Sequence, residues 1–274
     1  MRCANSSAVS VVTGASTVEP ARRPDPRVLA PVATYRDTGV VLRTIRLGEA
    51  DRIVTIITPA HGKVRAVAKG VRKVKSHIGA RLEPLTHVDM MCWRGRDLDI
   101  VTQVEVIDVF RGIRSDLARL GPAMTMLEIV DQVTVDHQGS PALYKLLVGA
   151  LRSLETTASP VTLAAFCLRL LSVEGVGPVT DSCAHCGRTG PLVAFDAGEG
   201  GFLCQDCRRG QAASPAVVEL AQRICSGALA RALTEPDGPT VDALERLATS
   251  AVEHHLDRRL RTTRYHVAEE TAPA

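Results

Sequence analysis

Two cysteine pairs, Cys183-x-x-Cys186 and Cys204-x-x-Cys207, stand 17 residues apart. No other feature of the chain restricts its fold as much. A two-residue spacer lets a tight turn aim both sulfurs at one ion, and two such pairs supply a tetrahedral four-sulfur set. Gly187, directly after Cys186, relieves crowding in that turn. Between the pairs, Leu192-Val-Ala-Phe195 and Phe202-Leu203 flank the turn-rich Ala197-Gly-Glu-Gly-Gly201. The interval therefore reads as a hairpin that folds the second pair back onto the first. Cys183, Cys186, Cys204 and Cys207 are the expected ligands of one Zn2+. Four protein ligands leave no position open for substrate water, which makes such a site structural. Arg188, Arg208 and Arg209 lie beside the ligands, where they can offset the charge of four thiolates. Two alternatives stand: redox chemistry at one Cys-x-x-Cys, which usually needs a βαβ context absent here, and four cysteines without metal. His185 could replace one ligand, although a solvated position suits it better.

The other four cysteines, Cys3, Cys92, Cys167 and Cys225, are scattered. Cys167, among Phe166, Leu168 and Leu170, is expected in the core. Residues 1–33 have no sustained periodicity and no compact apolar leader, and read as a disordered arm. Paired rather than distributed cysteines, without a leader, indicate metal in a reducing cytoplasm rather than a disulfide framework. No run of about eighteen apolar residues exists, so no membrane span is expected.

Residues 34–111 carry strand signals. Val40, Leu42 and Ile45 form one run, Arg52–Thr58 a second, and Lys63–Lys69 a third. His87–Trp93 and Leu98–Phe110 flank the turn Arg94-Gly-Arg-Asp97. In the third run Val64, Ala66 and Ala68 point one way while Lys63, Arg65 and Lys69 point the other; Val67 breaks the alternation. Five short strands in this length fit a closed five-stranded oligonucleotide-binding barrel. From Arg111 onward the period becomes helical. Leu117, Leu120, Met124, Leu127 and Val130 mark one helix, Leu143 to Leu154 a second after Pro141, and Leu163 to Leu171 a third after Pro160. Helical signals resume at about Ser214–Ser226 and Thr240–Arg261. The expected class is α+β multidomain. The barrel over 34–111 is followed by an all-α domain over 112–181 and 210–264, with a four-cysteine zinc finger inserted over 182–209 and a flexible tail over 265–274.

Charge is unevenly placed. The net charge of the whole chain is +3, yet residues 39–81 hold ten Lys or Arg against Glu49 and Asp51, a net +8. The rest of the chain therefore carries −5. Four of the five lysines fall between Lys63 and Lys75. Such a patch attracts polyanions and releases counterions from nucleic acid on binding. Arg43, Arg46, Lys63, Arg65, Lys69, Arg72, Lys73, Lys75 and Arg81 are the expected nucleic-acid contacts; a merely solvated basic face is the alternative. Aromatics make up only 3% of the chain, so recognition by phosphate contacts is expected, with little sequence preference. Trp93 and Phe110 are expected in the core rather than against bases. The chain has no phosphate-binding loop, no His-Glu-x-x-His and no deaminase pattern, so an enzyme is not expected.

The motifs Thr38-Gly-Val-Val-Leu, Gly48-Glu-Ala-Asp-Arg52, Ala68-Lys-Gly-Val-Arg-Lys73 and Gly95-Arg-Asp-Leu98 resemble the N-terminal domain of the RecO family of bacterial recombination mediators. The resemblance continues through Leu127-Glu128, Leu146-Leu147 and the stretch 175–178, then Cys183-x-x-Cys186-Gly187 and Gly200-Gly-Phe-Leu-Cys204. It spans 35–267. It implies a non-catalytic protein that binds single- and double-stranded DNA and anneals complementary strands. With RecR, such a protein assists RecA loading onto DNA coated by single-strand-binding protein, whose acidic C-terminal tail it contacts. It implies a cytoplasmic, nucleoid-associated location, with Lys63, Arg65, Lys69, Arg72, Lys73 and Lys75 facing DNA and the four paired cysteines holding zinc. A zinc-ribbon transcription or RNA-binding factor is the competing reading.

Overall fold

The computed structural model describes residues 34–71 and 78–262. The arm expected over 1–33, the tail expected over 265–274 and the predicted DNA contacts Arg72, Lys73 and Lys75 lie outside the described residues.

Five strands, β1 (Thr34–Leu47), β2 (Asp51–Thr58), β3 (Gly62–Ala68), β4 (His87–Trp93) and β5 (Asp99–Asp108), close into a barrel in the order β1-β2-β3-β5-β4. All neighbours are antiparallel except β3 and β5. This is the five-stranded oligonucleotide-binding barrel. Its interior is filled by Val41, Val54, Ile56, Val64, Ala66, Ala68, Val88, Met90 and Val101, the inward half of each alternating strand. A bulge between Val41 and Arg43 bends β1. Val41 faces the barrel interior, whereas Val40 and Leu42 join the core of the helices.

The helical part comprises α1 (Arg111–Ser115), α2 (Leu117–Val133), α3 (Pro141–Thr157), α4 (Thr162–Val173), α5 (Pro215–Cys225), α6 (Leu229–Ala232) and α7 (Pro239–His255). Ser140 and Ser214 start α3 and α5, each accepting from a backbone N–H in the first turn, with Pro141 and Pro215 at the first helical position. α4 is buried along almost its whole length and is the central helix. Leu117, counted in the apolar stripe of α2, is 74% exposed because it opens the helix beyond the packed surface. The last helix stops at His255, short of the expected Arg261. The chain beyond it is tied down by two carboxylates. Glu253 accepts from the N–H of Leu260. Glu128 accepts from the N–H groups of Arg261 and Thr262.

Barrel and helices share one core. Val40, Leu42, Ile57 and Leu85 from the barrel pack with Met126, Leu127 and Val130 of α2 and Leu147 of α3. Polar contacts fix the alignment. Tyr144 Oη lies 2.8 Å from His87 Nε2 and 3.1 Å from Thr38 Oγ1. At the β2–β3 turn, Gly62 has φ +66°, and a Cβ there would lie 1.9 Å from the carbonyl oxygen of Gln138. Only glycine lets the turn approach the α2–α3 connection this closely.

Candidate functional site

The cysteine segment folds as expected. β6 (Leu192–Asp196) and β7 (Gly201–Cys204) form an antiparallel hairpin, and β8 (Gln211–Ala212) adds a third strand beside β6. Phe195 and Phe202 meet edge to face at 5.1 Å and anchor the hairpin in the helical core. Gly187, with φ +72°, closes the first turn by donating its N–H to the Cys183 carbonyl at 2.8 Å. The N–H of Ala184 donates to the carbonyl of Phe202, which fixes the first pair against the second.

The four Sγ atoms all lie within 4.8 Å of one another, and those of Cys186 and Cys204 are 3.8 Å apart. Four sulfurs bonded tetrahedrally to zinc at ~2.3 Å are separated by about 3.8 Å along each edge. The donor set therefore fits a tetrahedral metal. The chemistry of the thiols agrees. The backbone N–H of Cys204, ahead of those of Cys186 and His185, holds the Cys183 thiol down to about 6. Cys207 is pushed up to about 12, by burial first and then by the neighbouring sulfurs. One proton leaves readily and the last is resisted, since thiolates repel; a bound dication removes that repulsion.

The flanking arginines behave differently from the expectation. Arg188 pairs with Asp206 and Arg209 with Glu199, so neither is dedicated to the sulfurs. Arg188 still feels them: its pKa is raised by Asp206 first and then by Cys186 and Cys204. His185 is exposed and faces Glu199, outside the sulfur set.

The basic residues divide into two groups. Arg43, Lys63 and Arg65 lie at the seam with the helices. Arg43 Nε is 2.5 Å from Asp131 Oδ2. Lys63 Nζ donates to the Asp131 carbonyl at 2.7 Å and lies 3.7 Å from both Asp131 and Asp136 carboxylates, with its side chain only 13% exposed. Arg65 stands 3.8 Å from Asp136. These carboxylates belong to α2 and the connection after it, and sequence reasoning did not anticipate them.

Arg46 and Lys69 are exposed, and among the described residues neither has a carboxylate partner. Arg81 is exposed and donates to the carbonyl of Val104 at 2.9 Å. Two cations missed by the sequence reading, Arg94 and Arg96, are exposed on the β4–β5 turn. Beside them Trp93 is 38% exposed, which overturns the expectation that it is a core residue, whereas Phe110 is fully buried as expected.

No helix of the described residues is long and apolar enough to cross a membrane. Comparison with known proteins bears directly on this architecture. The family model described as "Recombination protein O N terminal" matches residues 32–110, and "Recombination protein O C terminal" matches residues 114–264. The DNA repair protein RecO of Streptomyces coelicolor is 43% identical over 255 residues, covering 85% of this chain and 99% of that protein. The DNA repair protein RecO of Streptomyces griseus is 44% identical over 253 residues, with the same coverage of both chains. A barrel and a helical body matched end to end by the two halves of one family leave one conclusion: the chain belongs to the RecO family of bacterial DNA repair and recombination proteins.

Proposed function

We propose that this protein is a recombination mediator that binds single- and double-stranded DNA through its barrel and anneals complementary strands without catalysing a covalent step. One observation carries the reading. Residues 39–81 carry a net +8 in sequence, Asp131 and Asp136 of the helical part meet three of those cations, and the exposed Arg46 and Lys69 have no carboxylate partner among the described residues. Of the nine predicted contacts, Arg46, Lys69 and Arg81 with Arg72, Lys73 and Lys75 of the adjoining segment form the phosphate-binding set. Arg43, Lys63 and Arg65 hold the barrel on the helices through Asp131 and Asp136. Annealing two polyanions requires lowering their repulsion, which a basic patch does without nucleotide hydrolysis.

Zn2+ at Cys183, Cys186, Cys204 and Cys207 is structural in this reading. It pins the hairpin to the segment that follows α4, whereas the phosphate-binding set belongs to the barrel and its adjoining segment. With RecR, the protein assists RecA loading on DNA covered by single-strand-binding protein, at the nucleoid. A groove of about 660 Å³ between α3, α4, α5 and α6 is walled by Leu146, Phe166, Ile224 and Leu233 and edged by Lys145 and Arg169. Its apolar floor and two cations suit the acidic C-terminal tail of the single-strand-binding protein.

Annealing of complementary oligonucleotides in the absence of ATP tests the proposal. Acceleration that falls with salt and with Lys69→Ala, Arg72→Ala and Lys73→Ala together is expected. A sequence-specific footprint without annealing would favour a zinc-ribbon transcription factor instead.

A further inference from the structure

The four sulfurs come from two separate turns. One, Cys183 to Cys186, precedes β6; the other, Cys204 to Cys207, leaves the end of β7. A metal is retained only while the two turns stay together. Their cysteines are unequally covered. Cys183 and Cys204 are buried, Cys207 is half-buried and Cys186 is exposed. The open side of the cage is therefore the side of Cys186 and Cys207, and an ion escapes where these two turns part.

Two side-chain bridges join the turns from outside the sulfur set. In the first, Arg188 pairs with Asp206, which lies between Cys204 and Cys207. Their side chains are 62% and 65% exposed, and an ion pair in that setting contributes little. The second bridge is built differently. Glu199, in the turn between β6 and β7, places one carboxylate oxygen 3.1 Å from His185 Nδ1 and the other against the Arg209 guanidinium. Arg209 Nη2 also lies 3.4 Å from His185 Nδ1. His185 stands between the first two cysteines, and Arg209 two residues after the last. One carboxylate, 28% exposed, thus joins both turns. It is presented from a fixed point. The N–H of Glu199 donates to Asp196 Oδ1 at 2.9 Å. The Gly200 carbonyl accepts from the N–H of Val179 at 2.9 Å, and the Val179 carbonyl from that of Phe202 at 2.9 Å. These bonds tie the hairpin tip to the chain ahead of Cys183.

We propose that Glu199 is a positioning residue for the metal: by holding His185 and Arg209 together it keeps the two turns closed and slows the escape of Zn2+. The proposal rests on the reading that the four cysteines hold zinc, and adds what retains it. Residues outside a ligand set act on the metal by fixing where the ligands stand, and losing one commonly costs about 10–100-fold in affinity. The same contact turns the imidazole of His185 toward Glu199, so the residue nearest the sulfurs in sequence serves the cage as a strut rather than as a ligand.

The full chain loaded with Zn2+ is mixed with an excess of a chromophoric chelator, and the rate of zinc transfer is read. Glu199→Ala is expected to release zinc about tenfold faster than the parent. Glu199→Gln, which keeps an oxygen acceptor but loses the charge, is expected to lie between the two. Asp206→Asn, which breaks only the exposed bridge, is expected to stay within about twofold of the parent. Thermal melts separate retention from general stability. With zinc removed, Glu199→Ala and the parent are expected to melt alike; with zinc bound, the variant is expected to melt lower, because weaker binding to the folded chain stabilises it less. Equal release by Glu199→Ala and the parent, or equal destabilisation with and without zinc, would overturn the role of Glu199 while leaving the zinc site intact. Release from Asp206→Asn as fast as from Glu199→Ala would also overturn it, and assign retention to the exposed bridge. A parent chain that takes up no zinc would remove the zinc reading itself.

Discussion

Lys63 Nζ donates to the main-chain carbonyl of Asp131 at 2.7 Å and stands 3.7 Å from its carboxylate, while Arg43 reaches the other carboxylate oxygen at 2.5 Å. One acidic residue of α2 thus pairs with two cations of the barrel. Asp131→Ala is expected to lower stability by about 2 kcal/mol, because two partly buried cations lose a charged acceptor. Urea unfolding measures the loss. Lys69→Ala is expected to behave in the opposite way: stability within about 0.5 kcal/mol of the parent, and a salt slope for DNA binding lower by about one. A large stability loss in Lys69→Ala would show that this lysine, too, belongs to the fold.

The sulfur cluster makes a second prediction. Metal analysis is expected to give about one equivalent of zinc per chain. Cys183→Ala is expected to abolish that equivalent and to lower the melting temperature, since the β6–β7 hairpin loses its anchor. DNA affinity of the fraction that remains folded is expected to stay within about twofold, because the cysteines sit on the helical body and the phosphate-binding set on the barrel. A proportional loss of DNA binding would place the metal in the interface.

Glu128 reaches across the helical body to hold the chain after α7. Besides the N–H groups of Arg261 and Thr262, it accepts from Thr262 Oγ1 at 2.8 Å and from Gln132 Nε2 at 2.9 Å. Glu128→Ala is expected to cost about 2 kcal/mol and to expose the chain after His255 to protease. Limited proteolysis followed by mass analysis reads the outcome. Unchanged cleavage would mean that apolar packing at Leu260 suffices.

Stability is expected to depend on pH through Glu245 of α7, whose carboxyl is raised to about 7 by burial first and by Asp242 next. Below pH 4.5, the ordinary value, folded and unfolded chains are both protonated and the group costs nothing. Between pH 4.5 and 7 the unfolded chain ionises first, so stability falls as pH rises and levels off above 7. Glu245→Gln is expected to be more stable than the parent by about 1–3 kcal/mol at pH 8 and equal to it at pH 4. Parallel melts at the two pH values check both the size and the sign.

Local chemistry was legible in the sequence wherever its spacing is local. The two Cys-x-x-Cys turns, the hairpin between them, the prolines that start α3 and α5 and the alternation of β3 each need only a few consecutive residues, and their geometry is fixed by side-chain period and turn chemistry. The closed barrel followed from counting such runs. The partners of the charges did not. Arg43 and Asp131 are 88 residues apart, and Lys63 and Asp136 are 73 apart. Nothing in the composition of a basic strand announces that its cations will be met by carboxylates of α2 and the connection after it. Trp93 was misplaced for the same reason: its exposure depends on which strands pair with β4 and in what register, not on its neighbours in the chain. The sequence by itself determined the elements, the sulfur ligand set and the charge excess on the barrel, because each is a property of contiguous residues. Tertiary structure alone decided which cations are met by carboxylates and which remain free for a polyanion, because docking joins residues that the chain keeps far apart.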